Sequence, residues 1–172
     1  FDYAKLENLN GHYMKEADND RLIDLLSPFL KDHHNIILSD ISLKRLQAGM
    51  DGLKDRSKTL VQLAAESVFY LVDEVSYDDK AQKHLTAEAL PVLSAMIDSF
   101  TSIEFTHDTI EAACRDLADK QAEGKLGKVM MPLRAALTGT DKSPSLFEAA
   151  EILGKQETIS RIQAAVQAIE KG

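Results

Sequence analysis

Tryptophan is absent, and aromatic residues make up only 6% of the 172-residue chain. Sheets draw on aromatic and β-branched side chains. Their scarcity, beside abundant Ala, Leu, Lys and Glu, argues for helices. The single cysteine, Cys114, cannot close an internal disulfide, which fits a reducing cytoplasm. It lies between Ala113 and Leu117 in a helical pattern, where a small buried hydrophobe is expected. No apolar run approaches the roughly 18 residues of a membrane span, and no secretory signal is present. There is no Gly-rich phosphate loop and no Ser/His/Asp or Cys/His set. His33 and His34 are adjacent on an expected loop, where two side chains seldom ligate one ion, and no Cys or carboxylate cluster stands at a zinc spacing. No metal site is therefore expected, and His12, His84 and His107 are assigned to the surface. With no nameable nucleophile, base or cofactor site, the chain by itself is expected to catalyse nothing.

What is present is ordinary for a globular protein: 44% apolar and 28% charged residues, in a length that suits one or two domains. The net charge of -8 argues at first against nucleic acid. Its distribution is uneven, however. Lys44 to Lys58 and Lys120 to Lys142 each carry +3, which leaves -14 on the remainder.

Apolar spacing predicts an all-α fold of about nine to ten helices. Asp2 caps a first helix with Leu6, Leu9 and Tyr13 inward. Asn19 or Asp20 caps a second, with Leu22, Ile23, Leu25 and Leu26 inward, which Pro28 ends or kinks before a loop from Lys31 to Asn35. A third runs from Asp40, with Ile41, Leu43 and Leu46, to Gly49, and Asp51-Gly52 is a break. A long fourth follows, with Leu53, Leu60, Leu63, Ala64, Ser67, Val68 and Leu71 on one face. Arg56 and Lys58 then fall near its N-terminal end, against the helix dipole. Asp73 to Asp79 is polar and acidic, and is the expected boundary between two subdomains, 1–74 and 75–172. Beyond it come a short helix from Lys80 to Leu85 and one from Thr86 with a kink at Pro91. A further helix is capped by Thr106 and ends at Gly124, and the last runs from Lys155 to Glu170. That last helix is expected to dock on the signature helix, Gly127 to Thr138.

The signature segment itself is Gly127-Lys128-Val129-Met130-Met131-Pro132-Leu133-Arg134-Ala135-Ala136-Leu137-Thr138-Gly139. Leu126, Val129, Met130, Leu133 and Leu137 share one helix face, and Gly139 is a stop signal. Arg134, one residue past Leu133, leaves the core near its seam. Ser143-Pro144 reads as an N-cap followed by Pro at the first helical position of the next helix. Three pieces, Pro132 to Gly139, Pro144-Ser145-Leu146 and Leu153-Gly154-Lys155, resemble the C-terminal anticodon-binding region of bacterial glutamyl-tRNA synthetases. The stretches Lys5 to Tyr13 and Leu53 to Leu60 agree in order, while Asn8 stands where that family usually has Trp.

The resemblance implies an all-helical, monomeric tRNA-binding portion of a longer enzyme; the chain, which opens at Phe1 without Met, reads as a piece of one. The parent joins glutamate to tRNA with ATP and Mg. Its His-x-Gly-His and Lys-x-Ser-Lys elements are absent from this sequence, so no cofactor is expected here. By resemblance, Arg134 and the loop of Ser143, Pro144 and Leu146 face the anticodon, and Arg56 lies near the wobble base. Lys54, Lys58, Lys128 and Lys142 are the candidate phosphate contacts. Two alternatives stand beside this: a helical protein-interaction module that has lost tRNA, or part of a paralogue that places glutamate on tRNA(Gln).

Overall fold

A computed structural model describes residues 11–172, and among these residues there are helices and turns but no strand. The expected cap at Asp2, the apolar positions Leu6 and Leu9, and the Asn8 departure lie outside the described residues. Residues 11–16 are helical. Then follow α1 (Asn19–His34), α2 (Asp40–Asp55), α3 (Leu60–Leu71), α4 (Asp79–Gln82), a 3₁₀ turn (Ala87–Ala89), α5 (Leu90–Thr101), α6 (His107–Gln121), α7 (Gly127–Thr138), α8 (Leu146–Leu153) and α9 (Lys155–Lys171). Asp18, Ser39, Thr59, Asp78 and Thr106 each accept an otherwise orphaned amide at a helix start. Such a cap contributes about 1 kcal/mol. Among the described residues no helix is long and apolar enough to cross a membrane.

The chain forms two compact units, Phe1–Asp73 and Glu74–Gly172. In the first, α3 packs on both α1 and α2. Leu22, Leu26, Leu30, Leu46, Met50, Leu53, Leu63 and Tyr70 are fully buried there. Leu25 and Ile41, expected inward, are 38% and 65% exposed. Phe69 and Tyr70, not expected inward, are buried because α3 has a neighbour on two sides.

Three boundaries differ from expectation. α1 passes through Pro28 and ends at His34, with Asn35 in the left-handed region. Pro28 and Asp24 are both exposed, so the carbonyl that loses its amide to the proline is open to water. α2 does not stop at Gly49 or Asp51-Gly52 but runs to Asp55. Gly49 is there for close packing: a Cβ would stand 2.6 Å from Tyr70 Cε2. Arg56 is consequently the C-cap of α2 rather than part of the next helix's first turn. A cation at that end is favoured by the dipole, so the expected penalty at Arg56 does not arise.

In the second unit α9 packs on α5 as well as on α7. Pro91 falls in the first turn of α5, where its missing N–H costs nothing, so no kink forms. Ser143-Pro144 does not open α8; the helix starts two residues later, with Ser145 at its N-cap. Cys114 is buried as expected, and burial, helped by the nearby Glu111 carboxylate, pushes its thiol up to about 12.

Candidate nucleic-acid interface

The signature segment of the second unit builds a held arginine beside a pinned loop. Val129, Leu133, Ala136 and Leu137 bury one face of α7, which sets Arg134 at the edge of the core, half-buried. Its Nε donates to Ser143 Oγ at 3.0 Å, and its Nη1 lies 3.4 Å from Met131 Sδ. Ser143 Oγ donates in turn to the Pro144 carbonyl at 2.9 Å. The hydroxyl has one proton, and giving it to Pro144 turns the oxygen's lone pairs toward Arg134.

Below this bond the backbone is fixed. Thr138 Oγ1 donates to the Arg134 carbonyl at 2.7 Å. Gly139 turns the chain at φ 76°, and its carbonyl accepts the Asp78 amide at 2.9 Å. A Cβ at Gly139 would overlap the Ser76 carbonyl oxygen and crowd Val75 Cγ1 at 2.9 Å. Pro144 and Leu146 are buried and anchor the loop from within, while Lys142 and Lys128 are exposed. Arg161 was not singled out from the sequence. It is 4% exposed, and its Nη1 donates to the Leu137 carbonyl at 2.7 Å while Nε pairs with Glu157 at 2.9 Å. It thus completes the C-terminal turn of α7.

The first unit places Arg56 and Lys58 in a hollow of about 320 Å³, shared with Gly11, His12, Lys15, Asp55 and Ser57. Arg56 Nε lies 3.6 Å from Glu66, and the Lys58 amide donates to Gln62 Oε1 at 2.8 Å. Lys54 has a different place: its Nζ donates to the Ala17 carbonyl at 3.3 Å and to Asn19 Oδ1 at 2.9 Å, and lies 3.5 Å from Asp51. It ties α2 to the start of α1. The hydrogen bond from Asn19, then Lys54, holds the Asp51 carboxyl below its ordinary range. His12 and Lys15 stand outside both cationic windows of the sequence, so only folding shows them beside Arg56.

Among the described residues one group of ligand-type side chains, His107, Asp108 and Glu111, has atoms within 4.8 Å of one another at the start of α6. Glu111 pairs with Arg115 at 2.8 Å, and the Glu151 carboxylate takes the His107 amide. Arginine and backbone partners thus occupy carboxylates in and beside the group.

In each unit a cationic side chain stands by a helix end: Arg56 caps α2, and Arg134 lies toward the end of α7, close to the Gly139 turn. The anticodon-binding domain model matches residues 21–166. The chain is 44% identical to glutamate–tRNA ligase 2 of Paramagnetospirillum magneticum, over 96% of this chain and 35% of that enzyme. It is 43% identical to glutamate–tRNA ligase 2 of Rhodospirillum centenum, over 97% of this chain and 36% of that enzyme. A crystal structure of a glutamate tRNA ligase from Elizabethkingia meningosepticum, in complex with its amino acid, superposes with a TM-score of 0.80. The identity is 27%, over 98% of this chain and 33% of that one. The chain belongs to the anticodon-binding domain family, and it spans about a third of the length of the glutamate–tRNA ligases it matches.

Proposed function

We propose that this chain selects tRNA(Glu) by its anticodon loop for a glutamate–tRNA ligase whose catalytic part, using ATP and Mg, lies outside this sequence. Both units contribute, the first through Arg56 and Lys58 and the second through Arg134 and its loop. The observation that carries the reading is the Arg134 side chain, oriented by Ser143 at 3.0 Å beside a loop pinned at Gly139. An arginine held by its Nε offers paired donors to a base edge, which a lysine cannot match. Lys142 and Lys128 supply charge without orientation and act on phosphates. Pro144 and Leu146, being buried, shape the loop that meets the RNA.

The test is affinity for the cognate tRNA and for one with a swapped anticodon, across a salt series. Arg134→Lys is expected to weaken the cognate tRNA about tenfold or more, the equivalent of roughly 1.4 kcal/mol, and to leave the swapped one nearly unchanged. Lys142→Ala is expected to weaken both alike and to flatten the salt slope. Equal losses for Arg134→Lys on both tRNAs would reduce Arg134 to a phosphate clamp. Absence of salt-sensitive binding by the unaltered chain would favour a protein-interaction module.

A further inference from the structure

We infer that a second groove of the Glu74–Gly172 unit, between the start of α5 and the start of α7, carries the RNA backbone away from Arg134. This rests on the anticodon-reading function proposed above and extends it from Lys128, already a candidate phosphate contact, to Lys83 and Gln121, which the sequence had not singled out. The groove encloses about 500 Å³ and is lined by Lys83, His84, Gln121, Lys128, Met131 and Pro132, among others. Glu88 is its one lining carboxylate. Among the described residues neither Lys83 nor Lys128 has an ion-pair partner, whereas the nearby Lys120 and Lys125 are matched by Asp116 at 2.7 Å and Glu123 at 3.7 Å. Two unneutralised ammonium groups at one open groove, in a chain of net charge -8, form a local site for anionic oxygens. Gln121 and His84 add further hydrogen-bonding groups.

Continuity with the arginine decides which anion fits. Met131 lines the groove and also touches Arg134 Nη1 at 3.4 Å, so one side chain separates the two places. Lys128 and Arg134 are six residues apart on one helix, about 9 Å along its axis. A free phosphate would gain nothing from that spacing. A strand whose base is read at Arg134 would bring its neighbouring phosphates to Lys128 and Lys83. The apolar floor of Val92, Met131 and Pro132 suits a sugar face rather than a small ion.

The experiment measures binding of cognate and anticodon-swapped tRNA by Lys83→Ala, Lys128→Ala and the double variant over a salt series. Lys31→Ala, an exposed lysine of α1 outside the groove, is the control. Each single variant is expected to reduce the log–log salt slope by about 0.7–0.9, and the double variant by about twice that, equally for both tRNAs. Hydroxyl-radical protection of the nucleotides flanking the anticodon should fade in the double variant. If the unaltered chain binds tRNA and Arg134→Lys impairs the cognate one, but the double variant keeps slope and protection, the groove assignment is wrong and the anticodon reading stands. Lack of salt-sensitive binding by the unaltered chain would overturn both.

Discussion

Replacing Gly139 by alanine separates two costs that usually come mixed. The residue sits at φ 76°, where an L side chain costs about 1–2 kcal/mol. Gly124 has the same φ of 76°, but there the nearest atom to an added Cβ is Asp119 Oδ1 at 3.6 Å, an ordinary contact. Gly124→Ala should therefore show the conformational cost alone. At Gly139 the added methyl would overlap a backbone oxygen, that of Ser76, which no rotamer change can remove. Moving it would strain the Asp78 amide bond to the Gly139 carbonyl. Overpacking of this kind adds about 1–3 kcal/mol, for a total of roughly 2–5 kcal/mol. Urea unfolding followed by circular dichroism on both variants reads the difference. A loss at Gly139→Ala no larger than at Gly124→Ala would show that the 75–76 segment yields freely, and that the loop is not pinned there.

Three further outcomes are expected. Gly49→Ala gains helix propensity of about 1 kcal/mol but drives a methyl into the buried Tyr70 ring at about 1–3 kcal/mol, so urea unfolding should show a net loss of roughly 0–2 kcal/mol; a gain would mean that the ring moves at no cost. Ser143→Ala should lower the preference for the cognate anticodon by less than Arg134→Lys does, while leaving the salt slope unchanged; a changed slope would place Ser143 on a phosphate. Cys114 predicts an alkaline effect: its folded thiol stays protonated up to about 12, whereas the unfolded one ionises from about 9. Above pH 9 the unfolded chain binds fewer protons, so stability falls with rising pH by as much as about 1.4 kcal/mol per unit. Cys114→Ala should lack that part of the slope, and identical pH profiles would contradict the burial.

The helical class followed from composition and spacing because burial of one face is a local, periodic signal. Element ends were less legible, since glycine and proline have more than one use. Gly49 has the look of a stop, but it serves the Tyr70 ring contributed by another helix. Pro91 has the look of a kink, but the 3₁₀ turn before it shifts the helix start so that it lands in the first turn. The Ser143-Pro144 pair matches a helix start, yet Ser143 Oγ is occupied by Arg134 and the Pro144 carbonyl, and the helix begins after Ser145, which makes no side-chain capping bond. At the interface, the neighbourhood of Arg134 and Ser143 lay within nine residues of chain and could be anticipated. The company of Arg56 with His12 and Lys15, and of Lys128 with Lys83, joins segments some forty residues apart, which no spacing rule reaches.

The bond from Arg161 to the Leu137 carbonyl spans 24 residues. A ribosome makes α7 and its loop well before it makes Arg161. Until α9 emerges and packs, the last turn of α7 has a carbonyl without its buried donor, and Glu157 is not yet matched. The surface that holds Arg134 is thus finished late, by the final helix of this sequence rather than by the segment that carries it. A nascent chain halted before Arg161 would contain every residue of the loop and still lack its frame.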